Sequence, residues 1–381
     1  MEALKAEARA RGFGLLGIAS PEPSRHSAFY ESWVRRGLHG EMGYLARADA
    51  VERRTDLERT MESVRSIVVV SEEYCQPDPP GVPNDSARAV VARYARGADY
   101  HLVLKKKLLA LLAWLDERVE GGVRGRPYVD TGPILERELA QRAGLGWFGR
   151  NTMLINPGRG SYFFLGVLLL DCVLPTDDPF REDRCGTCRA CLDACPTGAL
   201  LGRDENGAPV MDARRCVSYL TIELRGVIPT ELRPGIGNRV FGCDICQEVC
   251  PWNQRFAQPS QEPAYRSREG LNGPPLVELA ERLLDADEDG FRALLRGSPL
   301  RRATRSGLLR NVCVALGNWG GGEALGVLTR ALGDRDPLVR GHAVWALGEL
   351  GLPAGRRALS DLAIFEADPW VQEELSLALG E

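Results

Sequence analysis

Apolar residues in the N-terminal third of the chain fall into two patterns: a helical period of about 3.6 residues, and unbroken apolar or β-branched runs. Leu4 and Ala8, set among polar residues, predict a first helix that ends near Gly12. The same reasoning predicts a second helix at residues 102–119 and buried strands at 15–19, 67–70 and 162–170. This mixture predicts an α/β or α+β fold for the N-terminal part.

The last third of the chain is helical and repetitive. The tripeptide Ala-Leu-Gly begins at Ala315, Ala346 and Ala378, a spacing of 31 and then 32 residues, and Pro337 and Pro369 lie near the predicted helix starts that lead to the last two copies. Such a repeat is typical of a short α-solenoid of HEAT-like helical hairpins. Solenoids usually present an extended surface to a macromolecule, although a simple packing appendage would show the same pattern.

Between these parts, eight cysteines form two runs and one isolated position. The first run is C-x2-C-x2-C-x3-C-P, the spacing of a bacterial [4Fe-4S] ferredoxin. The second run repeats its last three cysteines, with Val240 in the place of the first, and one cysteine lies between the runs. The eight are Cys185, Cys188, Cys191, Cys195, Cys216, Cys243, Cys246 and Cys250.

Two ligand sets follow from the geometry of such motifs, in which three closely spaced cysteines hold one cluster and the fourth, before proline, reaches the other. We predict that one cluster is held by Cys185, Cys188, Cys191 and Cys250, and the second by Cys195, Cys216, Cys243 and Cys246. Soft thiolates suit iron at a tetrahedral site. Structural zinc is disfavoured by the spacing, and disulfides are disfavoured because no secretory signal is evident.

The remaining cysteines, Cys75, Cys172 and Cys313, are predicted to be ordinary buried thiols. The longest apolar run, at 162–170, stops at Asp171 and is too short to span a membrane. The N-terminus shows no apolar signal segment, so we expect a cytoplasmic protein without a membrane partner. Nothing in the sequence suggests an obligate dimer, and we expect a monomer.

Charge adds one local feature. The chain of 381 residues has a net charge of −4, so no global basic field points to nucleic acid. Residues 290–322, however, contain no Asp or Glu and six arginines, which predicts contact with RNA or another polyanion, with a solvated basic face as the alternative. These are Arg292, Arg296, Arg301, Arg302, Arg305 and Arg310.

Two stretches of the N-terminal part are candidates for chemistry. Asp130 ends an apolar stretch, and Pro133 suits the first position of a following helix, so Asp130 lies either at a catalytic strand-to-helix loop or in a simple helix cap with Thr131. The segment 144–152 gathers three glycines around Trp147 and Phe148. It could bind a planar cofactor, or it could be a tight connection.

Taken together, the twin cluster motif, the turn at 129–133, the segments 146–151 and 216–223 and the terminal repeats resemble the epoxyqueuosine reductase family. The resemblance implies an α/β cobalamin- and substrate-binding domain at 1–172, a ferredoxin-like domain with two [4Fe-4S] clusters at 173–257, and a tRNA-binding HEAT-like domain at 276–381. It implies reduction of epoxyqueuosine at the wobble position of tRNA to the alkene, with loss of water.

The same resemblance implies a cobalamin without a protein histidine on cobalt. Asp99 and His101 form the only Asp-x-His, and Leu104 replaces the glycine of the D-x-H-x-x-G signature of histidine-ligated cobalamin. Asp130 matches the acid that protonates the epoxide oxygen, and we expect burial to keep it protonated. The cofactor-side positions implied by the resemblance are Arg54, Tyr94, Asn151 and Ser218.

Reductive opening of a C–O bond needs low-potential electrons and a reactive metal centre, which no side chain supplies. We expect a ferredoxin or flavodoxin to donate the electrons and the arginine-bearing helices to hold tRNA phosphates. Two alternatives remain: another corrinoid iron-sulfur enzyme, such as a reductive dehalogenase relative, and a ferredoxin-type carrier without a reaction of its own.

Overall fold

The computed structural model describes residues 1–79 and 81–380. Pro80 and Glu381, which fall within the predicted first and third domains, lie outside the described residues. By its internal contacts the chain forms two units. The first comprises residues 1–77, 97–214 and 244–266, and the second comprises 78–96, 215–243 and 267–381. The three-domain division at 172 and at 257–276 stays a prediction.

The strands, in chain order, are β1 Leu15–Ala19, β2 Ser66–Glu73, β3 Val90–Val91, β4 Gly125–Tyr128, β5 Trp147–Phe148, β6 Leu154–Ile155, β7 Phe163–Leu170, β8 Leu200–Arg203, β9 Pro209–Met211 and β10 Arg239–Phe241. Strand β1 occupies the predicted residues, and strands β2 and β7 contain or nearly match the predicted runs. These three sequence predictions are confirmed.

The helices, in chain order, are α1 Glu2–Ala10, α2 Ser27–Arg35, α3 Gly43–Ala46, α4 Ala48–Thr55, α5 Tyr100–Asp116, α6 Glu136–Arg142, α7 Ala190–Asp193, α8 Val217–Ile222, α9 Arg233–Ile236, α10 Ile245–Glu248, α11 Pro251–Phe256, α12 Leu276–Asp285, α13 Glu288–Leu294, α14 Arg305–Trp319, α15 Ala324–Ala331, α16 Pro337–Leu350, α17 Pro353–Ala363 and α18 Pro369–Leu379. In the described part of the chain, no helix is both long enough and apolar enough to cross a membrane.

The first unit is built on a four-stranded sheet of order β1-β2-β7-β4 in which all neighbouring strands are antiparallel. Because successive side chains of a strand point to opposite faces, the apolar run of β2 supplies both faces. Ile67 and Val69 pack with Leu139 and Ala140 of α6. On β7, Gly166 leaves room for Leu104 and Leu108 of α5. The sheet is therefore covered by helices and buried on both faces.

The second unit contains the predicted helical repeats. Asp336 accepts a hydrogen bond from the backbone N–H of Leu338, and Asp368 accepts one from that of Trp370, so each aspartate caps a helix whose first residue is proline. Proline is tolerated at this position because its missing N–H would have no partner in the helix. The predicted repeat starts are confirmed.

The glycine of the Ala-Leu-Gly tripeptide explains the repeat in physical terms. A Cβ atom on Gly317 of α14 would lie 2.7 Å from the Trp345 ring and 3.0 Å from Cα of Ala346 on α16. A Cβ atom on Gly348 would lie 3.0 Å from Cβ of Ala378 on α18. Each glycine thus allows consecutive repeats to pack closely.

We predict that Gly317→Ala destabilises the protein by about 1–3 kcal/mol, because the added methyl group overpacks the contact with α16. The matched control is Gly326→Ala on α15, where a Cβ would meet no atom within 4 Å. That variant should gain about 0.5–1 kcal/mol from helix propensity. Denaturant unfolding followed by circular dichroism measures both, and stabilisation by Gly317→Ala would contradict the packing account.

Candidate active site and iron-sulfur centre

Four of the predicted cluster cysteines line one cavity of about 300 Å³ in the first unit. Cys185 and Cys188 lie in the turn before α7, Cys191 lies on α7, and Cys250 precedes α11, whose first residue is Pro251. Cys250 is 7% exposed, whereas Cys188 is exposed to solvent. The fold therefore brings together residues that are far apart in sequence, as the first predicted ligand set requires.

The pKa of Cys191 reflects how close the four thiols lie to one another. Burial, together with the charges of Cys185, Cys250 and Cys188, raises the pKa of Cys191 to about 11. Among the described residues, no three His, Cys, Asp or Glu side chains lie close enough together to hold a single metal ion. A [4Fe-4S] cluster needs a wider set, because each of its cysteines binds a different iron. The cavity lined by the four thiols suits that larger group.

Aromatic rings surround the same cavity. Nε1 of Trp147 donates a hydrogen bond to Sγ of Cys185 at 3.4 Å, and the ring of Trp147 packs edge-on against that of Trp252 at 5.0 Å. Phe180 stacks on Trp147 at 5.6 Å. Hydrogen bonds to sulfur and exclusion of water tune cluster potentials, so these rings are placed where they would affect a cluster held in the cavity. The sequence left open whether this segment binds a planar cofactor or forms a tight connection, and in the structure Trp147 and Phe148 form the short strand β5 that pairs with β6.

The second predicted ligand set is divided between the units. Cys195 and Cys246 belong to the first unit, and Cys216 and Cys243 belong to the second. Sγ of Cys195 accepts a hydrogen bond from the backbone N–H of Ala199 at 3.3 Å. Hydrogen bonds to the sulfurs of a cluster tune its reduction potential. The second ligand set stays a prediction from the sequence.

Asp130 lies between β4 and α6, at the predicted junction. Its φ of 56° places it in the left-handed region, which aspartate tolerates better than most residues do. Helix α6 begins at Glu136, not at Pro133, and its N-cap residue is Leu135. The capping interpretation of Asp130 and Thr131 and the prediction for Pro133 are therefore wrong, because the turn continues for several residues before the helix starts.

The carboxylate of Asp130 has two close partners on α5. Its side chain is 68% exposed. The Tyr100 hydroxyl donates a hydrogen bond to Oδ2 at 2.6 Å, and Nε2 of His101 lies 3.6 Å from the same oxygen. Nδ1 of His101 lies 2.7 Å from Oδ1 of Asp99. Both ring nitrogens of His101 thus face carboxylates.

These contacts decide where the proton is held. Desolvation by the neighbouring groups would raise the pKa of Asp130, but its contacts with His101 and Tyr100 outweigh this and lower the pKa below its usual value. Burial would likewise lower the pKa of His101, but its contacts with Asp130 and Asp99 raise it to about 9. At neutral pH Asp130 is ionised and His101 is protonated, so the expectation that burial keeps Asp130 protonated is wrong.

Glu136, which the sequence analysis missed, adds a second carboxyl group. Burial and the charge of Asp130 together raise its pKa to about 8. Its Oε1 atom is buried and has no hydrogen-bond partner. The neighbouring Arg137 donates to the backbone oxygen of Thr152 and lowers the pKa of Asp130. The only sequence signal for Glu136 was its nearness to Asp130 in the chain.

The implied cofactor-side residues take different positions. Arg54 is 9% exposed, donates to the backbone oxygen of Ala50 and lies 5.7 Å from the ring centre of Tyr30. Asn151 is 3% exposed and donates to the backbone oxygen of Cys246 at 3.2 Å. Both belong to the first unit with Asp130.

The other two implied positions belong to the second unit. Tyr94 lies 6.3 Å from the Phe241 ring, and Ser218 lies on α8, two residues after Cys216. Their contacts with a cofactor stay predictions.

The six arginines of the second unit do not act as one group. Arg310 is 1% exposed and donates to the backbone oxygens of Leu220, Leu224 and Gly226. Arg305 is 4% exposed and pairs with Asp334 at 2.8 Å. Both are structural, so their assignment to phosphate binding is wrong. The exposed members are Arg292, Arg296, Arg301 and Arg302, of which Arg302 pairs with Glu223.

The prediction for the three remaining cysteines is correct only in part. Cys313 is buried, and burial raises its pKa to about 12, as expected for an ordinary core thiol. Cys75 and Cys172 are only half-buried, so the prediction of burial is wrong for them.

Three protein-family profiles match the chain. The profile described as 4Fe-4S double cluster binding domain matches residues 184–253. The one described as Epoxyqueuosine reductase QueG, DUF1730, matches residues 54–131, and HEAT repeats match residues 300–380. The second profile ends next to Asp130, and the first spans all eight predicted cluster cysteines.

An epoxyqueuosine reductase of Pseudomonas aeruginosa is 42% identical over 353 residues, which cover 92% of this chain and 94% of that protein. The Escherichia coli epoxyqueuosine reductase is 38% identical over 347 residues, covering 89% and 86%. This chain belongs to the epoxyqueuosine reductase family. Membership of this family of oxidoreductases favours neither of the two alternatives that the sequence left open, a simple electron carrier and another corrinoid iron-sulfur enzyme.

Solved structures of epoxyqueuosine reductases share the whole architecture. One, with an epoxyqueuosine-modified tRNA-Tyr stem loop, has a TM-score of 0.88 and 29% identity, and the match covers 100% of this chain and 97% of that one. Another, from Bacillus subtilis with its catalytic loop swung out of the active site, has a TM-score of 0.88 and 29% identity, with 100% and 98% covered. The predicted fold class, an α/β part followed by a double-cluster region and HEAT repeats, is confirmed.

Proposed function

We propose that this chain reduces epoxyqueuosine, in the wobble position of tRNA, to queuosine. The reaction breaks both C–O bonds of the epoxide, forms an alkene and releases the oxygen as water, so it consumes two electrons and two protons. One observation carries the proposal: an exposed Asp130 carboxylate on a left-handed turn contacts Tyr100 and His101, in the same unit as the four-cysteine cavity.

The clusters are assigned to cysteines as the sequence predicts. One would be held by Cys185, Cys188, Cys191 and Cys250. The other would be held by Cys195, Cys216, Cys243 and Cys246. Clusters bound by thiolates transfer single electrons at low potential, which the reduction of an epoxide requires.

The residues around Asp130 fit a corrinoid. Glu136 Oε1 is buried without a partner, and the amide side chains that rim a corrin ring are hydrogen-bond donors that could satisfy it. His101 is engaged by Asp99 and Asp130, which agrees with cobalt that has no protein histidine. When bound, cobalamin would supply the reactive metal centre. Besides Asp130 itself, the proposed contacts are Arg54, Tyr94, Asn151 and Ser218.

Asp130 is proposed to deliver a proton to the epoxide oxygen. A left-handed turn presents its side chain outward, and two donors on α5 fix the direction of its carboxylate. Proton transfer from a positioned acid contributes about 10²- to 10⁴-fold to a rate. The Bacillus subtilis relative, solved with a catalytic loop swung out of the active site, supports a functional role for such a loop.

The exposed arginines of the second unit are proposed to bind the tRNA. Arginine forms paired hydrogen bonds with phosphate, and neutralising each phosphate contributes to a salt-dependent affinity. The relative solved with a tRNA stem loop supports this partner. The wobble base must be turned out of its stack to reach Asp130, and unpaired loop bases permit this at modest cost.

We predict that Arg301→Gln weakens tRNA binding and lowers the slope of log affinity against log salt by about 1. The matched control is Arg357→Gln, an exposed arginine of α17 outside the arginine-rich stretch, which should leave the slope unchanged. Fluorescence anisotropy across a salt series measures both. Identical slopes for the two variants would remove Arg301 from the tRNA site.

The electron donor is proposed to be a ferredoxin or flavodoxin. Cys188 is exposed, so the cluster held at the cavity would lie near the surface, where a donor can approach. The same cavity is lined by Arg150, Arg184 and Arg255, whose positive charges suit an acidic partner.

A single assay tests the function. The chain, reconstituted anaerobically with iron, sulfide and cobalamin, is mixed with reductant and with tRNA that carries epoxyqueuosine, and queuosine is measured by mass spectrometry of digested tRNA. We expect queuosine only with the complete system, using either dithionite or reduced flavodoxin. No product with dithionite would refute the function, and product with dithionite alone would refute the proposed donor.

A further inference from the structure

The pair Asp99 and His101, which the sequence analysis used only to exclude a cobalt ligand, forms a continuous chain of groups leading to Asp130. Oδ1 of Asp99 lies 2.7 Å from Nδ1 of His101, and Nε2 of His101 lies 3.6 Å from Oδ2 of Asp130. This carboxylate–imidazole–carboxylate order fixes which ring nitrogen faces each partner. It is the arrangement by which a carboxylate orients an imidazole for proton transfer.

Packing holds the imidazole in this direction. The His101 ring stacks on the Tyr100 ring at 4.0 Å, and Tyr100 stacks in turn on Phe164 of β7 at 4.1 Å with an angle of 5° between the rings. Tyr100 and His101 both direct a proton-bearing atom at the same oxygen of Asp130. Asp99 also caps α5 by accepting a hydrogen bond from the backbone N–H of His101. Capping does not require the contacts of the His101 ring with the Asp99 and Asp130 carboxylates.

The stoichiometry of the reaction indicates a function for the row of side chains Asp99, His101 and Asp130. Loss of the epoxide oxygen as water consumes two protons, and Asp130 can hold only one. Because the Asp130 carboxylate is ionised at neutral pH, it must take up a proton from a neighbouring group within each turnover.

We propose that His101 supplies this proton to Asp130, with Asp99 and Tyr100 as the residues that position it. This inference rests on the proposed function. In the step, the Nε2–H bond of His101 breaks, an O–H bond forms on Asp130, and the proton then passes to the departing oxygen. No electrons move in this step, and His101 regains its proton from solvent. The 3.6 Å separation must shorten for transfer, as is common when substrate is absent.

The charged groups around the pair determine which of the two side chains carries the proton before the reaction. His101 faces Asp99 and Asp130, and Asp130 also faces Tyr100 and is acted on by Arg137. Glu136 lies near enough to Asp130 to respond to its charge. The resulting pKa of His101, about 9, means that the imidazole carries its proton at neutral pH. The proton is lost as pH rises through that value.

The first test needs no cofactor. Histidines labelled at Cε1 are titrated by NMR in the full chain, which has four histidines, and His101 is assigned by its absence in His101→Gln. We expect its midpoint near pH 9, and a lower midpoint in Asp130→Asn and in Asp99→Asn. Asparagine still caps a helix, so Asp99→Asn keeps α5 intact. A midpoint near that of a free histidine, unaffected by either variant, would overturn the inference.

The second test uses single turnover of the reconstituted enzyme across pH. The wild type should slow as pH rises through about 9. His101→Gln should be slower by about tenfold to a hundredfold, should lose that decline, and should keep the wild-type KM for tRNA. The control is Lys106→Gln on the exposed face of α5. A wild-type profile in His101→Gln, with wild-type enzyme active, would refute the role of His101 alone, whereas an inactive wild type would refute the proposed function.

Discussion

Asp130→Asn is expected to slow the formation of queuosine by about 10²- to 10⁴-fold, the contribution of a positioned acid. Asparagine has the shape of aspartate and tolerates the left-handed turn, so the loop should keep its conformation. It cannot pass a proton from His101 to the substrate. Affinity for tRNA and the iron content should stay at wild-type levels.

Quenched-flow single turnover measures this effect without interference from product release. The matched control is Asp49→Asn, an exposed aspartate that pairs with Arg47 in the same unit. The control should react at the wild-type rate. If Asp130→Asn also did so, Asp130 would lose its proposed role, whatever the behaviour of His101.

Cys191→Ala is expected to abolish turnover with every reductant, because it removes a ligand of the cluster cavity and interrupts electron transfer. Besides burial, the charges of Cys185, Cys250 and Cys188 raise the pKa of Cys191, and those of Cys185 and Cys188 raise the pKa of Cys250. We expect the variant to retain about four irons per chain, those of the second cluster. Electron paramagnetic resonance of the reduced protein should then show one cluster signal.

Cys313→Ala is the matched control for this prediction, because Cys313 is a buried thiol in α14 outside the predicted ligand sets. Its loss should leave the iron content and the turnover at wild-type levels, at a cost of about 1–3 kcal/mol in stability. Wild-type iron content in Cys191→Ala would contradict the ligand assignment.

The sequence predicted features that repeat or that follow a strict spacing. The strand at 15–19, the proline-led helices α16 and α18 and the cysteines of the cavity were predicted because local pattern determines them. Ferredoxin spacing is especially informative, since a cluster fixes the distances between its ligands.

Properties that depend on tertiary partners were not predictable in the same way. Arg305 and Arg310 look the same as Arg301 in sequence, but they are buried by carboxylate and carbonyl partners elsewhere in the second unit. The ionisation of Asp130 depends on His101 and Tyr100, which are 29 and 30 residues earlier in the chain. No local pattern reports such contacts.

The most direct measurement is the iron and acid-labile sulfide content of the full-length chain, prepared and reconstituted without oxygen. Two clusters held by eight cysteines predict about eight irons and eight sulfides per polypeptide. About four of each in the wild type would contradict the account, because a single cluster leaves the second ligand set without a purpose.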